Sequence, residues 1–163
     1  MGRLSEEKGF ERLLVIHKRL LDQGIRHNLV IVGDGPDRDF LRRLVRALGV
    51  ENSVILAGYQ SNPYPYMAGA DLFLLTSYHE AAPMVIDEAV SLGIPVLTTA
   101  TTSAKEMVLD RGAGWVCTNT DEAFVHALCR IAADPASLRS VSRCTSPATN
   151  EAALTGWDTL MRF

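Results

Sequence analysis

Short, continuously apolar runs alternate with longer amphipathic ones along most of this chain, and that alternation constrains its fold more than any other feature. "HNLVIVG" (27–33), "SVILAG" (53–58), "DLFLLTS" (71–77), "PVLTTA" (95–100) and "GWVCT" (114–118) read as buried strands. Between them, "GFERLLVIHKRLLDQG" (9–24) places Phe10, Leu13, Leu14, His17, Leu20 and Leu21 at helical spacing and stops at Gly24. "DRDFLRRLVRALG" (37–49) turns Phe40, Leu41, Leu44, Val45 and Leu48 inward. "NPYPYMAGA" is a loop with a short helical turn, "PMVIDEAVSLG" (83–93) a helix opened by proline and closed by glycine, "SAKEMVL" a short helix, and "DEAFVHALCRIAAD" (121–134) a longer one. Two-faced apolar strands, each followed by a helix, predict an α/β fold with a parallel sheet covered on both faces. Right-handed crossovers make a Rossmann-like, doubly wound sheet of three layers, α/β/α, the default. The 163 residues suit about one domain of this kind, with 47% apolar residues to fill its core.

The pattern fades after Asp134, where the sequence turns polar and small before a helix-like end at 151–162. Residues 1–135 are therefore expected to form the α/β domain and 136–163 a C-terminal helical tail. "MGRLSEEKG" reads as the end of a strand plus its loop. The chain is expected to be a piece of a longer protein whose first strand it lacks.

Charge and composition narrow the function. Sixteen basic residues against nineteen acidic ones give a net charge of −3, which argues against nucleic acid as the main partner. No apolar run approaches the roughly 20 residues of a membrane span. Three cysteines without a CxxC spacing read as reduced thiols. The four scattered histidines show no metal-binding spacing.

In an open parallel sheet, ligands bind beyond the carboxyl ends of the strands. Five loops leave such ends. "GRLSEEKG" carries Arg3 and Lys8, and "GDGP" carries Gly33, Asp34 and Gly35. "GYQSN" carries Tyr59 and Gln60, "SYHEAAP" carries Glu80, and "TTSAKE" follows the 95–100 strand. Arg3 and Lys8 in a glycine-flanked loop at a helix start suit an anion site or an ordinary solvated turn. "GDGP" is half of a dinucleotide fingerprint without its third glycine and reads as a tight turn. "DRD" (37–39) reads as a helix N-terminal cap rather than a metal-binding DxD.

"EAAPMVIDE" (80–88) holds two carboxylates with seven residues between them. Pro83 suits the first helical position. Glu80 then stands in the loop, and Glu88 lies ~7.5 Å along the helix axis from Pro83. Between them are the free N–H groups of the first turn, about Met84 and Val85. An acceptor, an anion cradle and a second acceptor in line match the hexose hydroxyls, diphosphate and ribose of a nucleotide sugar. The bland alternative is a surface Glu80 and a helix-face Glu88.

With these residues placed, the chain resembles the C-terminal, donor-binding domain of a family 4 (group 1) glycosyltransferase of the GT-B fold. "GRLSEEKGFERLL" resembles the family's strand-end GRL…KGF. "EAAPMVIDEAVSLGIPVL" resembles its EX7E signature and the GxPV strand behind it. "TSAKEMV" stands where the family has a glycine-rich loop ending in Glu106. The resemblance spans about residues 2–135. Ala81 follows Glu80 where the family often has glycine, and Thr102 and Ser103 replace the usual Gly-Gly.

The resemblance implies a retaining hexosyltransferase that moves a sugar from a nucleoside diphosphate to an acceptor hydroxyl in glycan or cell-surface polysaccharide synthesis. The donor would be a UDP- or GDP-sugar, with no metal and no other cofactor. Arg3, Lys8 and the helix start would hold the diphosphate, Glu88 the ribose, and Glu80 the hexose end. Ala82, Pro83, Met84, Val85, Tyr59 and Gln60 would complete the donor site. An N-terminal acceptor domain and a glycan or lipid-linked acceptor would be the partners. The isolated chain would be inactive in transfer, and the longer protein cytoplasmic, with room for peripheral membrane association. A nucleotide-sugar-binding module without catalysis, a GT-B epimerase and a two-carboxylate glycosidase are the rival readings.

Overall fold

A computed structural model describes residues 1–79 and 83–145 of the chain. The expected helix at 151–162 lies outside the described residues. Five parallel strands form two ladders. The first joins β1 (Leu29–Val32) to β2 (Val54–Gly58), with Leu29 opposite Val54 and Ile31 opposite Leu56. The second has the order β3–β4–β5 (Phe73–Leu75, Val96–Thr99, Gly114–Cys117). Phe73 faces Val96, which in turn pairs with Gly114.

The helices α1 (Phe10–Asp22), α2 (Arg38–Leu48), α3 (Tyr64–Ala68), α4 (Met84–Ser91), α5 (Asp121–Ala133) and α6 (Pro135–Thr145) complete the alternation. "SAKEMVL" becomes a π-helical turn at Lys105–Leu109.

Alternate residues of β4 show the layers. Val96 joins a core with Met67, Phe73, Leu75, Ile86 and Val108, under α3 and α4. Its neighbour Leu97 points the other way, into a core of Ile16, Leu20, Phe124 and Ile131 from α1 and α5. Both strand faces are filled there, which is why the strand is apolar throughout. Over β1 and β2 the outcome differs from expectation. Leu29, Ile31 and Val54 pack beneath α1 and α2. The register partners Val30 and Ile55 face the opposite side and are 38% and 53% exposed. Continuous apolarity there does not mean burial on both faces.

One smaller difference concerns α2: Phe40, expected inward, is exposed, while Leu41 and Val45 carry the packing. In the stretch after Asp134, read as the start of a helical tail, α6 packs on α5.

Candidate functional site

The carboxyl ends of the strands point to one edge, and backbone hydrogen bonds weave the loops there together. The amides of Gly2 and Leu4 donate to the carbonyls of Val32 and Asp34 at 2.9 and 3.0 Å, so the Arg3 segment runs alongside the end of β1. This explains the glycines of "GDGP". A Cβ on Gly33, whose φ is +142°, would overlap the Gly2 carbonyl, and one on Gly35 would overlap Leu4. They permit close approach of two backbones rather than of a phosphate. Asp37 stands at the N-cap of α2 as expected, but its side chain makes no capping hydrogen bond; its carboxylate contributes charge near the helix start only.

The Lys8 loop is joined to the end of β3 in the same way. Lys8 closes a 3-10 turn at Glu6–Lys8, and Gly9 follows with φ +66°. A Cβ on Gly9 would overlap the Thr76 carbonyl. The Thr76 hydroxyl donates to the Gly9 carbonyl at 3.0 Å, and the Tyr78 amide donates to the Glu7 carbonyl at 2.9 Å. The strand-end cations and the loop leading toward Glu80 are therefore one unit. Glu80 and Ala82 themselves lie outside the described residues.

The helix that follows begins one residue later than the sequence predicts. Pro83 is the N-cap, with extended backbone, and Met84 is the first helical residue. Met84 is 76% exposed, Val85 is half-buried, and Glu88 is half-buried. Glu88, with Asp87, Ser91 and Leu92 of α4 and Tyr64 of α3, lines a cleft of about 320 Å³. Burial, and after it the nearby Lys8 charge, lowers the Met1 amino group to about 6, with Glu88 opposing both, so Lys8 and Glu88 each lie near the Met1 backbone. Arg3 is exposed on the same edge. Tyr59 is 75% exposed just past β2, and Gln60 donates through Nε2 to the Ala57 carbonyl at 2.8 Å, which folds its side chain back on the strand end.

The loop after β4 carries two hydroxyls, Thr101 Oγ1 and Ser103 Oγ, that are shut off from solvent and have no hydrogen-bond partner among the described residues. Among the described residues, no group of three His, Cys, Asp or Glu side chains is placed to hold a metal ion.

The sequence reading missed one group. Arg12 is buried on α1, and its guanidinium reaches Asp121, Asn119 and the Tyr78 ring. The signal was available: Arg12, Ile16 and Leu20 follow at four-residue spacing, marking a second inward face of α1 toward α5.

The family model "Glycosyl transferases group 1" matches residues 1–146. The lipopolysaccharide core biosynthesis glycosyltransferase LpsE of Rhizobium meliloti is 36% identical over 135 residues, 82% of this chain and 38% of that protein. The lipopolysaccharide glucosyltransferase WaaG of Escherichia coli is 38% identical over 117 residues, 71% of this chain and 30% of that one. Among solved structures, Anabaena Alr3699/HepE in complex with UDP superposes with a TM-score of 0.76 at 25% identity, over 88% of this chain and 42% of its own. The C-terminal domain of a group 1 glycosyl transferase (LpcC) from Francisella tularensis matches over 97% of this chain and 83% of its own. Its TM-score is 0.76 and its identity 17%, a likeness of fold alone. The chain spans less than half the length of the two relatives.

Proposed function

Because this chain belongs to the glycosyl transferases group 1 family and has the Rossmann-like fold of a GT-B C-terminal domain, we propose that it binds the nucleotide-sugar donor of a retaining hexosyltransferase in lipopolysaccharide or related glycan synthesis. The observation that carries this reading is the joining of the Arg3–Lys8 loop to the loop after β3, which leads to the start of α4. One edge then offers two cations, the first-turn N–H groups of α4 and a carboxylate in a cleft. A diphosphate flanked by hydroxyl-bearing rings fits that order.

In the mechanism this supports, Arg3, Lys8 and the start of α4 stabilise the departing diphosphate as negative charge develops on it. One unit-charge pair at about 4 Å is worth ~4 kcal/mol at an effective dielectric of ~20. Two cations therefore supply enough to lower a barrier without a metal ion. The helix dipole adds to the same field. Glu88 accepts hydrogen bonds from the ribose hydroxyls. Glu80 serves the hexose end, orienting it or balancing charge. The acceptor hydroxyl comes to a cleft completed by an N-terminal domain, so the isolated chain binds donor and transfers little. The Anabaena neighbour is in complex with UDP, which supports a nucleoside diphosphate as the ligand class. The setting is cytoplasmic, where nucleotide sugars are made, with the longer protein meeting its lipid-linked acceptor at a membrane surface.

Calorimetric titration of the chain with UDP, GDP and a panel of their hexose conjugates tests the reading. Binding of one nucleoside diphosphate and its sugar, and no binding of the free hexose, is the expected result. No binding of any member would refute it.

A further inference from the structure

Arg12 is a buried cation that the donor-site reading leaves without a role. Only 4% of it is exposed. Its Nε donates to Asp121 Oδ1 at 2.9 Å, its Nη2 stands 2.8 Å from the same oxygen in an ion pair, and its Nη1 donates to Asn119 Oδ1 at 2.5 Å. The guanidinium carbon stands 4.8 Å from the centroid of the Tyr78 ring, within cation–π range. One side chain on α1 therefore grips the loop after β5 with its fork and the loop after β3 with its face.

The second loop is held further by its own backbone. The Asn119 amide Nδ2 donates to the Tyr78 carbonyl at 3.0 Å. The Tyr78 amide is engaged by Glu7, and the Ser77 carbonyl accepts from the Thr99 hydroxyl at 3.1 Å. Asn119 is thus a relay: its oxygen is oriented by Arg12, which turns its Nδ2 toward Tyr78. The Thr120 side chain caps α5 by accepting from the Ala123 amide, which fixes Asp121 as the first residue of that helix. These anchors tie Ser77 and Tyr78 to β4, to the turn before α1 and to the start of α5. In sequence, Glu80 is two residues on.

Resting on the donor-binding reading above, we propose that Arg12 is a positioning residue. Through Asn119 and Asp121 it holds Tyr78, at the described base of the loop that we assign to the hexose end of the donor. A buried charge is costly unless fully paired, and a plain structural anchor between α1 and α5 needs no ring and no relay. A fork that spends one of its hydrogen bonds on orienting Asn119 toward one loop carbonyl serves placement of that carbonyl. Arginine suits this and lysine does not, because a point charge cannot hold two acceptors in one plane.

Three variants of the full 163-residue chain test the proposal, with UDP, GDP, UDP-glucose and GDP-mannose as probes. Asn119→Asp keeps the acceptor for Arg12 but offers no Nδ2–H to Tyr78. Tyr78→Leu removes the ring from a position that is 42% exposed. Arg12→Lys keeps the charge and loses the fork. The expected result in the first two is an unchanged melting temperature and an unchanged Kd for the nucleoside diphosphate. The Kd for its hexose conjugate rises by about tenfold, the effect of losing one charged-group hydrogen bond. Arg12→Lys shows the same split together with a lower melting temperature. If Asn119→Asp and Tyr78→Leu shift both ligands equally, or shift neither, Arg12 is a structural anchor and the proposal is overturned. A wild-type chain that binds none of the four probes refutes the donor-site reading itself, a different outcome from equal binding by variants and wild type.

Discussion

Gly33 faces Gly2 so closely that a Cβ on Gly33 would overlap the Gly2 carbonyl oxygen, and the Gly2 amide donates to the carbonyl of neighbouring Val32 at 2.9 Å. The pairing places Arg3 at the edge of the sheet. Gly33→Ala is strained by its φ of +142° as well as by the overlap. A residue forced into a sparsely populated backbone region costs on the order of 1–3 kcal/mol. The expected outcome is a lower melting temperature and weaker binding of the nucleoside diphosphate, because residues 2–4 must move. Gly24→Ala, a glycine with positive φ and open space around it, serves as the control: it strains the backbone without touching Arg3. Equal loss of binding in the two variants would break the link between Gly33 and Arg3.

A second prediction concerns pH. His17 is buried on α1, its Nδ1 2.8 Å from His27 Nε2 and its Nε2 2.8 Å from Ser53 Oγ. His27 Nδ1 faces the Ile25 carbonyl at 2.9 Å and must donate there. In the neutral pair, His27 Nε2 then accepts from His17 Nδ1, and the Ser53 hydroxyl donates to His17 Nε2. Burial, and after it the influence of His27, pushes His17 from its ordinary 6.5 down to about 4. The unfolded chain therefore binds the proton more readily than the folded one. The stability contribution is full above pH 6.5 and is lost as pH falls toward 4. The slope is at most ~1.4 kcal/mol per pH unit for one proton. Urea melts between pH 7 and 4 check this. His17→Leu should flatten that window, and an unchanged slope would show that His17 is not the group responsible.

The fold was legible because the sheet and its helices rest on repeated apolar spacing, as in Val96 and Leu97, whose side chains enter two different cores. The uncovered face at Val30 and Ile55 was not legible, since an apolar residue in a strand reads the same whether or not a helix lies over it. Pro83 fell one residue outside the helix because proline suits either side of a helix start. Arg3, Lys8 and Glu88 were singled out from residue type and position in the alternation. Arg12 was passed over: its four-residue spacing with Ile16 and Leu20 marked an inward face, but its partners Asn119 and Asp121 lie more than 100 positions away, and no local period names them.

The orphan hydroxyls of Thr101 and Ser103 give a third prediction. A buried polar group without a partner costs ~1–3 kcal/mol. Thr101→Val and Ser103→Ala should therefore raise the melting temperature of the free chain. If these hydroxyls meet a ligand, the same variants should weaken nucleotide-sugar binding, so stability and affinity move in opposite directions. Thermal melts with and without the nucleotide sugar separate the cases. A fall in the melting temperature of the free chain would mean that the hydroxyls have partners after all.

The last prediction separates the two glutamates. Glu88 lines the cleft against Tyr64, whereas Glu80 follows in sequence the residues Ser77 and Tyr78 held at the end of β3. If Glu88 holds the ribose, Glu88→Ala weakens the nucleoside diphosphate and the nucleotide sugar alike. A hydrogen bond to a charged group is worth roughly 1.5–3 kcal/mol, about ten- to a hundredfold in affinity. Glu80→Ala leaves the nucleoside diphosphate nearly untouched and acts on the hexose conjugate. Arg3→Ala and Lys8→Ala weaken both ligands, and the loss shrinks as salt rises, because their partner is the diphosphate and exposed charges are screened over about 10 Å at 0.1 M. Calorimetry on the four variants at two ionic strengths decides the matter. Equal loss of the free nucleoside diphosphate in Glu80→Ala and Glu88→Ala would contradict the in-line arrangement. Loss in neither, with the fold intact, would return both carboxylates to ordinary surface and helix-face roles. A salt-independent loss at Arg3 would mean that its contribution is packing rather than charge, and the anion cradle would then rest on Lys8 and the start of α4 alone.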